Sequence, residues 1–330
     1  METPLFNDSP SRAFTGRDAV HIAFGVDASY FRGMGVAITS VVENNPGLHF
    51  IFHVFAFSIS DDSRYRMAEL GKKYDIDIRL HLLDTEILNA FSGFPCFAQH
   101  SLGTFIRLLI PNRLKGITDK VLYLDADILC FGGIAELLET DIGDCVAVVV
   151  HDEIETTVKT QIAALGIRNG KYFNAGVMYI NVDQWIANDT QNTALKILTS
   201  RELVFADQDA LNIALDGHTR YVHDKWNYRY HLVDFLSRGQ WRLDIAKPYV
   251  FIHFTGPVKP WHSWCLHEAR GIFVNYQSLS PWADVPLDGP RTARDLKLFS
   301  KFLIKQNRIG DGIFWHAKYL GARLVQRLKF

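Results

Sequence analysis

The 330-residue chain predicts an α/β fold in which helices cover both faces of a mainly parallel sheet. Short apolar segments alternate with segments whose apolar residues recur at helical spacing, and this alternation is typical of parallel sheets with helical crossovers. Hydrophobic residues make up 48% of the chain and charged residues 22%, which excludes a disordered or collagen-like protein. The length is sufficient for one large or two modest domains.

The elements follow one another regularly through the first two thirds of the chain. Apolar runs predict strands at His21–Val26, Phe50–Phe57, Ile76–Leu83, Lys120–Leu124, Cys145–Val150 and Gly176–Ile180. Helical spacing predicts helices at Phe31–Asn45, Asp61–Lys73, Thr104–Ile110 and Asp207–Leu215. Pro46-Gly47 ends the first of these helices, and Asp61-Asp62-Ser63 is the expected N-terminal cap of the second.

The character of the sequence changes after Trp264. Turns that contain Pro281, Pro286 and Pro290 lead into two segments with amphipathic helical spacing. These segments are Ala293–Gln306 and Ile313–Phe330. We therefore predict a leader over residues 1–20, a sheet-containing domain over residues 21–264 and a helical extension over residues 265–330.

The formal net charge of -1 hides a strong gradient along the chain. Residues 291–330 contain ten Lys and Arg but only two Asp, a net charge of about +8. Residues 1–290 carry about −9. An acidic body and a basic tail therefore cancel in the total.

Cysteine usage and the apolar segments bear on the cellular compartment. The four cysteines are far apart and form no CxxC pair, so we expect a reduced compartment and neither a zinc nor a disulfide framework. The first residues lack a basic start followed by an apolar stretch, and no apolar run approaches the roughly 18 residues of a membrane span. We expect a cytoplasmic chain.

The sharpest motif is Val121-Leu-Tyr-Leu-Asp125-Ala-Asp127, an apolar strand that ends in two carboxylates. Residues i and i+2 of a strand point to the same side, so both acids project from the carboxyl edge of the sheet, where open α/β sheets bind ligands. Two like charges this close favour a bridging cation. A divalent metal shared between the acids and a diphosphate accounts for the pair.

Two alternatives compete with that interpretation. The acids could form a solvated turn. An apolar run followed by DxD also resembles the nucleophile loop of haloacid-dehalogenase phosphotransferases, in which the first Asp attacks phosphorus. That family carries the loop at the start of its core and has Thr or Val at the fifth motif position, whereas this motif lies past residue 120 and has Leu129 there.

A second motif spans Tyr249–Trp261 and brings His253 to a loop that contains Gly256 and Lys259. An imidazole can complete a site made of carboxylates, and a lysine can neutralise phosphate oxygens. A mixed oxygen and nitrogen ligand set leans towards Mn2+ over Mg2+.

Six motifs in one order carry a family resemblance. They are Phe24-Gly-Val-Asp27, Arg107, Asp125-Ala-Asp127, Phe173-Asn174-Ala175-Gly176-Val177, Asp207-Gln208-Asp209 and His253-Phe-Thr-Gly-Pro-Val-Lys259-Pro-Trp261. Together they resemble the family 8 retaining glycosyltransferases, closest in character to the bacterial lipopolysaccharide core glucosyl- and galactosyltransferases. The C-terminal helices resemble the tail of that branch.

The resemblance implies a GT-A nucleotide-sugar transferase domain over residues 21–264, a UDP-hexose donor and bound Mn2+, with Mg2+ as the alternative. Three residues match the metal ligands, namely Asp125, Asp127 and His253. The UDP-binding positions are Gly25, Val26, Asp27, Ser29, Tyr30, Asp125, Ala126, Gly256 and Lys259. The sugar-binding positions are Arg107, Asn174, Ala175, Asp207 and Gln208, of which Asp207 and Gln208 are also the catalytic pair. Relatives often carry Asn where this chain has Ser29.

Structural interpretations exist for several of these residues taken singly. Asp27 and Asp207 could each be the N-cap of a helix. Asn174-Ala-Gly176 could be a turn before a strand. Arg107 could pair with a carboxylate of the body.

The family implies a lipopolysaccharide outer-core acceptor and an α-linked product. Gln208 is a poor nucleophile, which favours front-face attack by the acceptor hydroxyl. Together with the basic tail 291–330, the acceptor predicts a peripheral protein on the anionic inner face of the bacterial inner membrane and no nucleic-acid partner. Alternatives are a helical cap packed on the catalytic domain, a glycogenin-like self-glucosylating protein and a nucleotide-sugar binder without catalysis.

Overall fold

A computed structural model describes residues 19–84, 86–87, 102–152, 155–243 and 248–327. The chain divides into two compact units. The first contains the residues up to Tyr228 and, in addition, the later segment Pro248–His253. The second comprises residues 229–247 and 254–330. The domain boundary near residue 264 stays a prediction.

A seven-stranded sheet forms the centre of the first unit. The strands that precede residue 223 are β1 Val20–Gly25, β2 Phe50–Ala56, β3 Asp77–Leu82, β4 Lys120–Leu124, β5 Ile128–Cys130, β6 Ala147–His151, β7 Phe173–Asn181 and β8 Thr219–Val222. All of these except β5 form the sheet, in the order β3-β2-β1-β4-β7-β6-β8. Only β7 runs antiparallel to its neighbours β4 and β6, so within the described residues the sheet is mainly parallel, as the alternation of elements predicted.

Helices connect these strands. They are α1 Phe31–Glu43, α2 Asp61–Tyr74, α3 Leu102–Ile106, α4 Ile110–Arg113, α5 Ala135–Leu138, α6 Glu155–Leu165, α7 Val182–Ala187, α8 Thr190–Ser200 and α9 Ala206–Ala214. The cap of α2 is Ser60, whose hydroxyl accepts from the Ser63 N–H, so the cap precedes the predicted Asp61. The acidic first turn and basic last turn of α2 complement its dipole.

The single helix predicted over Thr104–Ile110 is wrong, because the structure contains two short helices with a turn between them. Pro111 has no N–H to donate to the Arg107 carbonyl, which interrupts a continuous ladder of i to i−4 hydrogen bonds there. The resulting turn includes Arg107 itself.

Strand β4 lies in the core, and every residue of Val121–Leu124 is fully buried. Two short strands follow the main sheet along the chain, β9 Tyr228–Arg229 and β10 Phe251–His253. Strand β10 pairs antiparallel with β5, and His253 lies opposite Ile128. This register brings the histidine beside the strand that follows the DxD motif.

The second unit is helical, with α10 Leu232–Arg238, α11 Ala269–Ser278, α12 Ala293–Lys305 and α13 Ile309–Arg327. Helix α12 begins with a capping box between Thr292 and Asp295. Gly312 lets α13 approach α12, because a Cβ there would lie 2.4 Å from Cγ1 of Ile304. Both amphipathic helices were predicted, although α13 begins four residues before Ile313. Among the described residues, no helix is both long and apolar enough to cross a membrane.

Candidate active site

The DxD motif forms a tight turn at the carboxyl end of β4. The Asp125 N–H donates to the Gly176 carbonyl at 2.9 Å, which ties the turn to β7. The side chains of Asp125 and Asp127 are 20% and 11% exposed, so both carboxylates are largely removed from water yet open on one side. Both acids therefore lie at the carboxyl edge of the sheet, as expected.

His253 completes a cluster with these acids. Its Nε2 lies 3.0 Å from Oδ1 of Asp127 and 3.6 Å from Oδ2 of Asp125. One ligand atom from each of the three residues falls within 4.8 Å of the others. Two carboxylate oxygens and one imidazole nitrogen fit Mn2+, and Mg2+ is the weaker match because of the nitrogen. The three predicted metal ligands are thus brought together in a form that can hold a divalent ion.

Gly176 makes room for the histidine ring. A Cβ at this position would lie 2.3 Å from Cε1 and 2.5 Å from Nδ1 of His253. Every other amino acid would therefore push the ring away from the acids. Gly176 of the Asn174-Ala-Gly motif is thus needed for the space that the ring occupies. Its backbone conformation is one that any residue could adopt.

Arg107 joins the DxD motif to the start of α9. Its Nη2 lies 3.0 Å from Oδ1 of Asp125 and its Nε lies 2.8 Å from Oδ2 of Asp207. Its Nη1 donates to the Ala175 carbonyl at 2.7 Å. Burial lowers the pKa of the guanidinium, but the two carboxylates outweigh burial and the pKa of Arg107 is raised. The predicted pairing with a body carboxylate is therefore correct, and it occurs inside the site.

Asp207 is almost fully buried. Burial raises the pKa of its carboxyl to about 7, while Arg107 acts to lower it. The N-cap of α9 is Phe205, so the interpretation of Asp207 as a cap is wrong. The side chain is available to pair with a cation and to accept hydrogen bonds.

Gln208 is held in a network with the strand motif. Its Oε1 accepts from Asn174 Nδ2 at 2.9 Å and from the Ala175 N–H at 3.2 Å. Its Nε2 donates to Asp152 and to the hydroxyl of Tyr172. Asn174 belongs to β7, so the interpretation of its motif as a turn is wrong.

A cleft of about 120 Å³ lies beside the DxD motif within the first unit. It is lined by Gly25, Asp27, Tyr30, Gly103, Thr104, Arg107, Asp125, Ala126 and Asp127. The Asp27 carboxylate accepts from the N–H and hydroxyl of Ser29, and the N-cap of α1 is Tyr30, so Asp27 does not cap that helix. Val26 is buried, and its N–H donates to the Phe55 carbonyl at 2.9 Å, so its predicted contact with UDP stays a prediction.

Two models of known families match this chain. The model of glycosyl transferase family 8 covers residues 21–265, and the model of the family 8 C-terminal region covers residues 269–322. The chain belongs to glycosyl transferase family 8. It is therefore a glycosyltransferase with a GT-A fold, and the haloacid-dehalogenase alternative is excluded.

Similar proteins of the family include a lipopolysaccharide 1,3-galactosyltransferase from Salmonella typhimurium, 33% identical over 94% of this chain and 93% of that protein. A lipopolysaccharide 1,2-glucosyltransferase from Escherichia coli K12 is 32% identical over 92% of this chain and 90% of that protein. Among solved structures, the galactosyltransferase LgtC in complex with donor and acceptor sugar analogs matches with a TM-score of 0.66 and 27% identity, over 79% of this chain and 96% of that one.

Two positions of the family motif lie in the second unit. Gly256 has a φ of +87°, and a Cβ there would lie 2.3 Å from Nε2 of His231. Lys259 is buried, and its Nζ donates to the Phe254 carbonyl at 2.8 Å. Their role as a diphosphate clamp stays a prediction.

The site also contains residues that the sequence did not single out. Tyr123 donates its hydroxyl hydrogen to Oδ1 of Asp125 at 2.6 Å, and burial raises the pKa of this phenol. The i, i+2 spacing of Tyr123 and Asp125 was a usable signal. Asp152 and Tyr172, which bond Gln208, come from distant segments and had no such signal.

Proposed function

We propose that this chain transfers glucose or galactose from UDP-hexose to the outer core of lipopolysaccharide, with retention at the anomeric carbon and an α-linked product. The observation that carries the proposal is the convergence of Asp125, Asp127 and His253 beside a cleft that also contains Asp27. The acceptor is inferred from relatives that act on lipopolysaccharide.

The three clustered side chains would hold Mn2+, with Mg2+ as the alternative. A bound divalent ion stabilises the negative charge that develops on the departing diphosphate. The side chain of Tyr123 keeps Oδ1 of Asp125 oriented, which leaves the other oxygen directed towards His253. Asp27 and Tyr30 line the cleft at the positions proposed for the uracil.

The sugar side of the site is built around Arg107. Its guanidinium lies between Asp125 and Asp207 and pairs with both carboxylates. Asp207 is proposed to accept hydrogen bonds from hexose hydroxyls. This arrangement would orient the hexose with its anomeric carbon near the carboxyl edge of the sheet.

Gln208 is proposed to face the hexose on the side opposite the diphosphate. Both ends of its amide are already hydrogen-bonded, and an amide oxygen is a weak nucleophile. We therefore favour attack by the acceptor hydroxyl on the same face that UDP leaves, with a phosphate oxygen of the leaving UDP taking the hydroxyl proton. In that case Gln208 stabilises positive charge at the anomeric carbon without forming a bond to it.

The test is hexose transfer from UDP-glucose and from UDP-galactose to truncated lipopolysaccharide cores in the presence of Mn2+. We expect Asp125→Asn to lose at least a hundredfold in activity, because a ligand charge is removed. Asp119→Asn, at the other end of the same strand segment, is the matched control. Near-normal activity in Asp125→Asn refutes the metal assignment, and hexose appearing on the protein itself favours the self-glucosylating alternative.

We also propose that the basic tail holds the enzyme on an anionic membrane, through one face of α13. Ile313, Leu320 and Leu324 are 62%, 50% and 60% exposed. The opposite face, with Trp315 and Tyr319, is turned towards α12, where Trp315 lies 5.0 Å from Phe299 between ring centres.

The charges of α13 suit an interfacial position. Arg323 and Arg327 lie beside the apolar face, and the ammonium group of Lys318 lies over the rings of Phe314 and Trp315. Lysine and arginine beside an apolar helical face favour anionic lipid surfaces. An apolar face of this size left exposed also argues against a helix that only caps the catalytic domain.

A further inference from the structure

Asn227 is a buried residue of the site that no sequence motif singled out. It follows the short 3-10 helix Asp224–Trp226, and its N–H donates to the Asp224 carbonyl at 3.0 Å. Only 2% of its surface is exposed. Its side chain contacts His253 and Asn174, so its position relative to the proposed metal ligands is closely defined.

Backbone groups determine how the two asparagine amides are oriented. The Gly176 N–H, which can only donate, lies 3.0 Å from Oδ1 of Asn174. That atom must therefore be oxygen. Asn227 presents Nδ2 to this oxygen at 2.9 Å and to the Asn174 carbonyl at 3.4 Å, and both partners only accept. The remaining atom of the Asn227 amide, the one that meets His253, is consequently also an oxygen.

These orientations determine the tautomer of His253. Its Nδ1 lies 3.2 Å from Oδ1 of Asn174 and 3.2 Å from Oδ1 of Asn227. Two oxygens that only accept require a proton on Nδ1. When a divalent cation occupies the cluster, the lone pair is then on Nε2, the atom that faces Asp125 and Asp127.

We propose that Asn227 is a positioning residue that holds His253 as the Nδ1–H tautomer, with Nε2 directed at a divalent cation. This inference rests on the proposed function, because it assumes that the cluster binds metal. Asn174 alone does not suffice, since its Oδ1 is shared between Gly176, Asn227 and His253. Partners that orient a ligand histidine typically change metal affinity about 10- to 100-fold when they are removed.

The test is a titration of the full chain with Mn2+ in the presence of UDP, followed by the electron paramagnetic resonance signal of free Mn2+. We expect Asn227→Leu to weaken Mn2+ binding about tenfold or more. The matched control is Asn45→Leu, a buried asparagine whose bonds go to Val41, Gly132 and Ile134 and not to the cluster. Asn45→Leu is expected to bind Mn2+ like the wild type.

The outcomes separate this inference from the function on which it rests. Absence of Mn2+ binding in the wild type refutes the proposed metal site itself. Wild-type affinity in Asn227→Leu, alongside weak binding in Asp127→Asn, refutes only the role of Asn227. A measurement that needs no stable variant is the ¹⁵N spectrum of the His253 ring in wild type loaded with diamagnetic Mg2+ and UDP at pH 8, assigned with His253→Gln. A protonated Nδ1 beside an unprotonated Nε2 is expected, and the Nε2–H tautomer overturns the proposal.

Discussion

At Gly176 the site depends on the absence of a side chain. We expect Gly176→Ala to lose most hexose transfer, because the added methyl group would meet the His253 ring at 2.3 Å and displace Nε2 from the acids. Overpacking of this kind typically costs about 1–3 kcal/mol of stability, so the protein should still fold. Steady-state kinetics at several Mn2+ concentrations, with urea denaturation, measure both effects.

Gly132→Ala is the control for that substitution. A Cβ at Gly132 would meet only Val250, at 3.7 Å, and its φ is not positive. If the Gly176 and Gly132 variants keep equal activity, the close approach of the histidine ring is not needed for catalysis.

Arg107 and Asp207 form a buried pair whose energy can be measured by a double-mutant cycle. Removing one partner of a buried pair typically destabilises a protein by about 3–5 kcal/mol, because the other charge stays buried and unpaired. We expect Arg107→Leu to show a loss in this range, and the double variant Arg107→Leu/Asp207→Leu to lose less than the sum of the single variants. Urea denaturation at pH 8 provides the four free energies of unfolding. Strict additivity would mean that the pair does not interact.

Single residues of the site were predictable where chain spacing carries information. The DxD acids were predictable because they directly follow a buried apolar strand, and His253 was predictable from its family motif. The pairing of Arg107 with Asp207 and the role of Asn227 were not predictable from spacing, because Asp207 lies in α9 and Asn227 follows a 3-10 helix, both far in the sequence from the residues they contact. Such contacts depend on tertiary packing, which local patterns do not encode.

Three histidines on neighbouring strands each lie within hydrogen-bond distance of the next through their ring nitrogens. Nδ1 of His21 lies 2.9 Å from Nε2 of His53, and Nδ1 of His53 lies 3.0 Å from Nε2 of His81. These residues belong to β1, β2 and β3 in order along the chain. Burial, and after it His81, His21 and Arg79 in that order, lower the pKa of His53 from 6.5 to about 2. The central histidine is therefore neutral throughout the physiological range.

This lowered pKa predicts acid sensitivity of the sheet. Below about pH 6.5 the unfolded chain binds a proton that folded His53 rejects, so this stability is present above that pH and is lost as pH falls towards 2. Between pH 7 and pH 5.5 we expect the free energy of unfolding of the wild type to fall by about 1 kcal/mol more than that of His53→Gln. Urea denaturation at both pH values, with exposed His49→Gln as control, measures it. Equal losses in wild type and His53→Gln contradict this account.

At the scale of elements, the strands were well predicted because buried parallel strands are short and continuously apolar. Pro111 indicates the break between α3 and α4, but the apolar residues around it keep helical spacing and so predict one continuous helix. Helix α11 went unpredicted among the proline-containing turns that follow Trp264.

The charge polarity of the whole chain has a structural counterpart. The acidic residues that matter for the proposed chemistry lie at one edge of the sheet in the first unit. The basic residues of the tail flank an exposed apolar face in the second unit. We therefore expect the wild type to bind anionic phosphatidylglycerol vesicles more tightly than neutral ones, with binding that weakens in high salt.

The apolar face is tested by Ile313→Gln/Leu320→Gln/Leu324→Gln in a vesicle sedimentation experiment. We expect a loss of at least tenfold in vesicle affinity, because burial of three apolar side chains in the lipid interface is removed. The control is Tyr65→Gln/Leu82→Gln/Val204→Gln, which removes three exposed apolar side chains from the first unit. If both triple variants bind vesicles like the wild type, α13 is not the membrane-binding element.

The central claim is that Asp125, Asp127 and His253 form one metal centre at the carboxyl edge of the sheet. The most direct measurement is an anomalous difference map from crystals of the chain grown with Mn2+ and UDP. The account predicts a peak within bonding distance of one oxygen from each aspartate and of Nε2 of His253. A peak that contacts other residues, or density for UDP with no metal peak among these three side chains, would contradict it.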